Sequence, residues 1–236
     1  MKIFIDAGHN YSGIGTGAVG NGLKEQEITF YISDKLKTLL LAEGHQVKMS
    51  RNKMEDNLGK TVNEGLNLRA KMANEWGADL FVSIHTNAYN GEAKGTEVLV
   101  YSSKSKSVDT AKKIQKAIVK NLGTIDRGVK ERPNLAVLRL TKAPALLVET
   151  AFIDNVADAQ KLAYRQGDFA EAIFEGITGK KPKSNDLTEI ADIINELSKR
   201  EIITDKALWS EKLKEDKNAY WLAQKTVKYL IKHGVE

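Results

Sequence analysis

Four side chains in this sequence have the types and positions to act together. His85 stands where an apolar run from Asp79 to Ile84 gives out, within Val-Ser-Ile-His-Thr-Asn-Ala, Val82 to Ala88. His9 follows the first apolar run, Lys2 to Asp6, in Asp-Ala-Gly-His, and Glu149 follows another, Ala145 to Val148. Short runs of branched and aromatic residues read as buried strands, and ligands of open α/β sheets gather outside the carboxyl ends of such strands. Glu25 is the fourth group, in the first turn of a helix fed by a glycine-rich segment. Two neutral imidazoles and one carboxylate are the donor set of a catalytic zinc that keeps its fourth position for water. The other carboxylate must then stay off the metal and carry a proton from the water to the leaving group. Glu25 suits the ligand role, because the flexible segment after His9 can fold it back over that residue. Glu149 suits the base, because the apolar surroundings of a strand end raise its pKa towards neutrality. The expected ligands are therefore His9, Glu25 and His85, and the expected catalytic residue is Glu149. Singly, each has a plainer reading: a lone histidine is usually structural, and Glu25 can serve as a first-turn acid facing the helix dipole. The other two histidines, His45 and His233, end no apolar strand and read as solvated.

The elements that would hold these groups alternate. The segment Gly8 to Gly22 carries six glycines and lets a ligand approach the backbone. Its loose spacing, its histidine and the long gap before the helix argue against a dinucleotide loop. A helix is expected from about Lys24 to Glu43, stopped by Gly44, then a strand from Gln46 to Ser50 and a polar, mobile loop from Arg51 to Lys60. A helix from Glu64 to Trp76 leads into the His85 strand. Thr96 to Tyr101 reads as a strand and Ser107 to Leu122 as a helix. Thr124 to Asn134 reads as a basic loop, and Leu135 to Leu138 and Ala145 to Val148 as short strands. Asn155 caps a helix, and a last amphipathic one covers Gly167 to Thr178. This alternation predicts an α/β fold with a mostly parallel open sheet and helices on both faces. Residues 1–179 form the expected main domain and 180–186 a linker, from the composition of Gly179 to Asn185. Residues 187–236 form a small all-helical module, with patterns at Ile190 to Leu197, Ala207 to Leu213 and Leu222 to Ile231. So small a core is expected to lean on Trp209 and Trp221, or on a partner or second copy.

At 236 residues, with 42% hydrophobic and 28% charged residues, the chain has the composition of a folded globular protein. It has no cysteine, so disulfides and thiolate metal sites are excluded. No apolar run approaches a membrane span, and the amino terminus lacks the pattern of a signal peptide. The net charge of +5 favours anionic surroundings, but no aromatic-interleaved basic patch or recognition helix supports nucleic acid as a partner.

Five ordered blocks together resemble the zinc-dependent N-acetylmuramoyl-L-alanine amidases of the Amidase_3 type. They are Asp6 to His9, Gly17 to Glu25, Leu68-Arg69-Ala70 with Ala73-Asn74, Ser83 to Ala88, and Leu147 to Asn155. The resemblance covers roughly Met1 to Thr178. It departs from the family pattern at Ala7, Asn10 and Thr86, which stand for proline, glycine and alanine, and none of these removes a ligand. It implies Zn²⁺ held by His9, Glu25 and His85, with Glu149 as the catalytic glutamate. The implied reaction is hydrolysis of the amide between the lactyl group of N-acetylmuramic acid and L-alanine in peptidoglycan. Within that reading Asn87 either binds substrate or caps its loop, Arg69 is structural, and Arg127 and Arg132 either face stem-peptide carboxylates or are solvated. A metallopeptidase or deacetylase using the same zinc site, and a wall-binding protein without activity, are the alternative functions. The lack of a signal-peptide pattern implies synthesis in the cytoplasm and action on the cell wall after release, and the two-domain layout resembles bacteriophage endolysins; a mother-cell or autolytic enzyme released by lysis is the alternative. Residues 187–236 would then target the wall or self-associate.

Overall fold

The computed structural model describes residues 1–182 and 187–216, together with 219, 220, 223, 226 and 227, with side chains in the second stretch from 193 onward. By its internal contacts the chain divides into Met1–Pro182 and Lys183–Glu236. In the first unit a six-stranded sheet runs in the order β4-β1-β5-β8-β6-β7. Its strands are β1 (Lys2–Ala7), β4 (Gln46–Met49), β5 (Leu80–Asn87), β6 (Thr96–Val100), β7 (Asp126–Glu131) and β8 (Ala145–Phe152). Strand β6 pairs antiparallel with β8, and the remaining neighbours pair in parallel. This is the mostly parallel α/β sheet expected from the alternation of elements.

Both faces are covered, and the strands are apolar on both sides as parallel sheets require. On one face α1 (Glu25–Ala42), α3 (Val108–Leu122) and α6 (Gln166–Thr178) close the larger core over Ile3, Ile5, Val82, Ile84, Leu146 and Val148. On the other, α2 (Val62–Trp76) and α4 (Ala136–Leu140) pack with Phe4, Phe81, Leu99 and Leu147. Phe4 and Phe81 stack with ring centroids 5.8 Å apart. Helix α2 is capped by Thr61, which accepts the Glu64 N–H, and ends on left-handed Gly77. Asn155 caps α5 (Val156–Tyr164) by accepting the Asp158 N–H.

Several elements differ from the sequence expectation. Leu135 to Leu138 is not a strand: Ala136–Leu140 is helical, burying Val137 and Leu138 on the second face. The basic loop contains a strand, β7, whose mostly polar residues, none of them fully buried, suit its place at the sheet edge. The glycine-rich segment contains a hairpin of β2 (Val19–Gly20) and β3 (Leu23–Lys24), turned by Asn21 and Gly22, both with positive φ. Asn-Gly is the sequence such a tight turn favours. Strands β5 and β8 run past His85 and Glu149, so those residues lie within strands rather than beyond them. The polar loop after β4 begins on an anchor, since Arg51 is fully buried.

In the second unit, α7 (Leu187–Lys199) and α8 (Lys206–Glu215) contribute to an apolar cluster of Ile193, Ile194, Leu197, Ile203 and Leu213, with Tyr220, Ala223 and Val227. Trp209 packs against this cluster, while Trp221, His233 and the side chains of Ile190, Leu222, Leu230 and Ile231 lie outside the described residues.

Candidate metal centre

The turn after β1 begins the site. Asp6 is fully buried, salt-bridged to Arg69 Nη1 at 2.5 Å and accepting the Ser83 hydroxyl at 2.7 Å. Burial alone would raise its pKa, but the charge of Arg69 holds it below the usual carboxylate range. Arg69 then donates to the carbonyls of Ala7 and His9, both at 2.7 Å. Arg51 reaches the same turn from the other side, donating to the carbonyls of Ala7 (3.3 Å), Gly8 (3.1 Å) and Gln26 (2.7 Å). Desolvation and the neighbouring Arg69 lower the Arg51 pKa to about 10, so it remains cationic at neutral pH. Three successive carbonyls are thus gathered by two buried guanidinium groups, in a turn where His9 takes a left-handed φ of 66°. Such a conformation is costly for a residue with a Cβ and persists where its surroundings over-determine it.

Glu25 arrives from the hairpin as the first residue of α1, its N–H bonded to the Ala18 carbonyl at 2.9 Å. One carboxylate oxygen, Oε2, accepts the Ala18 N–H at 2.9 Å. The other, Oε1, accepts the Thr86 N–H at 2.9 Å and lies 3.1 Å from both His9 Nε2 and His85 Nδ1. Burial would raise the Glu25 pKa, but the hydrogen bonds and charge of His85 and His9 hold it well below the ordinary range. Gly17 and Gly8 make this closeness possible. A Cβ on Gly17 would lie 2.8 Å from Glu25 Oε2 and 2.9 Å from the His9 ring, and one on Gly8 would lie 2.6 Å from the His85 ring.

One donor atom from each of His9, Glu25 and His85 falls within 4.8 Å of the others. Tetrahedral zinc with bonds of about 2.0–2.1 Å places its ligand atoms about 3.3–3.4 Å apart. The observed 3.1 Å separations come close to that edge length, and the imidazole and carboxylate donors are of the right kind. His9 Nδ1 lies 3.3 Å from the Gly15 carbonyl, so an Nδ1–H donated there would leave Nε2 able to bind a metal.

Glu149 adjoins this group without joining it. It is the register partner of His85 across β5 and β8, and Thr150 beside it donates to the His85 carbonyl at 2.9 Å. The residue is partly exposed, but its Oε2 is buried and has no hydrogen-bond partner among the described residues. Desolvation, with the charges of Glu25 and Glu97, pushes its pKa up to about 8. All four residues singled out by sequence therefore meet at one end of the sheet. Arg69, Arg51, Asp6 and Gly17 support them. Asn87 donates to Glu97 at 3.4 Å and accepts its own loop's Ala88 N–H at 2.9 Å. Arg127 pairs with Glu97 at 2.9 Å, and Arg132 donates to the neighbouring Glu131 carbonyl at 3.0 Å. Arg51 and Glu97 were not singled out, since each stands alone as a charged residue in a polar stretch or an apolar strand.

Comparison with known proteins shows which sequences and folds the chain is similar to. The chain is 40% identical over 177 residues to the N-acetylmuramoyl-L-alanine amidase CwlM of Bacillus licheniformis, a match covering 75% of this chain and 65% of that one. It is 36% identical over 202 residues to the endolysin of Bacillus phage SPP1, covering 78% and 71% of the two chains. The crystal structure of an N-acetylmuramoyl-L-alanine amidase from Clostridium difficile 630 superposes with a TM-score of 0.68 at 31% identity, covering 75% of this chain and 95% of that one. The chain thus spans about two thirds of the length of the Bacillus licheniformis relative. The family described as N-acetylmuramoyl-L-alanine amidase, Amidase_3, matches residues 3–179, and the chain belongs to that family.

Proposed function

We propose that this protein is a zinc-dependent N-acetylmuramoyl-L-alanine amidase that cleaves the lactyl-to-L-alanine amide of peptidoglycan. The observation that carries the reading is the convergence of His9, Glu25 and His85, with Glu149, the register partner of His85, beside them. His9, Glu25 and His85 would hold the ion. When bound, zinc supplies a Lewis acid that polarises the scissile carbonyl and makes water acidic enough to react near neutral pH. Glu149 would take a proton from the attacking water and return it to the leaving amine of L-alanine. A carboxyl whose pKa lies near the working pH can do both. Arg69 and Arg51 hold the His9 turn, and the Ala18 and Thr86 amides hold Glu25, so the donor atoms are in position before substrate arrives.

The division of labour along the chain follows the sequence reading: a catalytic region in 1–179, a linker in 180–186, and a helical module in 187–236 that targets the wall or self-associates. The likeness to a phage endolysin supports action on the cell wall after release from the cell that makes the protein. Among the described residues no helix is long and apolar enough to cross a membrane. The test is digestion of purified cell wall by the full chain with and without zinc, with end-group analysis of the products. New amino-terminal alanine and intact glycan strands are expected, and chelation abolishes their release. New amino groups on the sugar would mean a deacetylase, new ends within the peptide a metallopeptidase, and pelleting with the wall without products a binding protein.

A further inference from the structure

Beside Glu149 the sheet carries charge that the reaction above leaves unused. Glu97 in β6 is the cross-strand partner of Glu149 and is buried at 5% exposure. Two cations of β7 converge on a single oxygen of its carboxylate: Arg127 Nε at 2.9 Å and Lys130 Nζ at 2.5 Å from Oε2. The other oxygen, Oε1, is taken by the Asn87 amide at 3.4 Å. One carboxylate set against two cations leaves a surplus positive charge within one strand of Glu149.

Arg127 is held in an unusual way. It pairs through Nε, the nitrogen nearest its stem, and its guanidinium lies 4.9 Å from the ring centroid of Phe152, three residues beyond Glu149 on β8. Nη1 lies 3.5 Å from the Lys94 carbonyl, at the limit of a hydrogen bond, and Nη2 meets no acceptor among the described residues. The side chain is one third exposed. A guanidinium fixed from behind by a carboxylate and from one face by an aromatic ring has already lost most of its rotamer freedom. Its terminal N–H fork matches a carboxylate and binds one at low entropic cost.

We infer that Arg127, backed by Glu97 and Lys130, is a specificity-determining residue that binds a substrate carboxylate close to the scissile amide. The inference rests on the amidase reading for the identity of that carboxylate. In a peptidoglycan stem the residue after L-alanine is a γ-linked D-glutamate, whose α-carboxyl is either free or amidated. The free form is the anion nearest the bond that is cut.

The experiment compares two muropeptides, N-acetylmuramoyl-L-alanyl-D-isoglutamyl-L-lysine and its isoglutaminyl counterpart, as substrates for the zinc-loaded full chain. The acid is expected to be cut with a kcat/KM roughly tenfold higher, mainly through KM, the size of one charge-assisted hydrogen bond. In Arg127→Gln the ratio of the two kcat/KM values falls to near one. Arg127→Lys, which keeps the charge but not the fork, reduces the ratio part of the way and serves if the glutamine variant does not fold. Equal rates on the two substrates in the wild type would overturn the inference, as would an Arg127 variant that slows both in the same proportion. Calorimetric binding of the two free peptides separates this from the amidase reading. If neither muropeptide is cut but the acidic peptide binds more tightly than the amidated one, the amidase reading falls and the subsite stands. Equal binding of the two peptides ends the subsite.

Discussion

Glu25 and Glu149 are carboxyl groups at the same end of one sheet, and their surroundings push them in opposite directions. Glu25 is surrounded by donors and imidazoles that keep it ionised, whereas Glu149 faces burial and like charge that keep it protonated up to about pH 8. The ionised carboxylate is the form a metal ligand needs, and the carboxyl that titrates near neutrality is the form a proton carrier needs. Glu149→Gln keeps shape and burial but cannot exchange a proton, so metal content should be unchanged while hydrolysis falls by at least about a hundredfold. His85→Ala should lose the metal as well, and metal analysis beside turnover distinguishes the two variants. Glu149 also makes stability depend on pH. In metal-free protein the folded state keeps a proton that the unfolded chain releases near 4.5, so the contribution is fully present below that value and is lost as pH rises through about 8. The melting temperature of chelator-treated wild type should therefore fall more steeply between about pH 5 and about pH 9 than that of Glu149→Gln. Parallel profiles would show that the carboxyl is not buried as described.

At the level of elements, Gly17 links the hairpin to the site. A methyl group there would meet the Glu25 Cβ at 2.6 Å as well as the carboxylate and the His9 ring, so one of these must move. Gly17→Ala should weaken metal affinity by roughly ten- to a hundredfold, read by competition with a chelator, while the melting temperature of the metal-free protein changes little. The strands that present His9, His85 and Glu149 were legible as apolar runs ending in polar groups, because a buried parallel strand must be apolar on both faces. Elements whose identity depends on tertiary context were not. Leu135 to Leu138 is as apolar as a strand, and only its place over Leu147 and Phe81 makes it a helix. Strand β7 is polar enough to pass for a loop because it is an edge. The reversed direction of β6 leaves no trace in its own residues, yet it is what sets Glu97 opposite Glu149. The role of Arg51 was equally hidden, since the carbonyls of Ala7, Gly8 and Gln26 that it gathers lie more than twenty residues away in sequence.

Taken whole, the chain distributes its charge unevenly. Leu187 to Glu236 carries nine lysines and arginines and nine acids, so the excess of +5 belongs to the rest of the sequence. A module that held the wall through charge would concentrate cations of its own. Removal of residues 183–236 should leave hydrolysis of soluble muropeptides intact and reduce pelleting with cell wall to the same extent at low and high salt. A truncated protein without activity on soluble substrate would show that the module completes the site. The first unit, for its part, has the means to stand alone around the His9 turn. Every bond by which Arg51 and Arg69 gather the carbonyls of Ala7, Gly8 and His9 is made within the polypeptide, so the prediction is that any zinc bound there is a guest in a finished seat and not the keystone of the fold. Stripping it should leave the circular dichroism spectrum in place, and adding it back should restore activity in a single fast phase without refolding. A protein that behaved so could be stored empty and armed by the supply of metal alone.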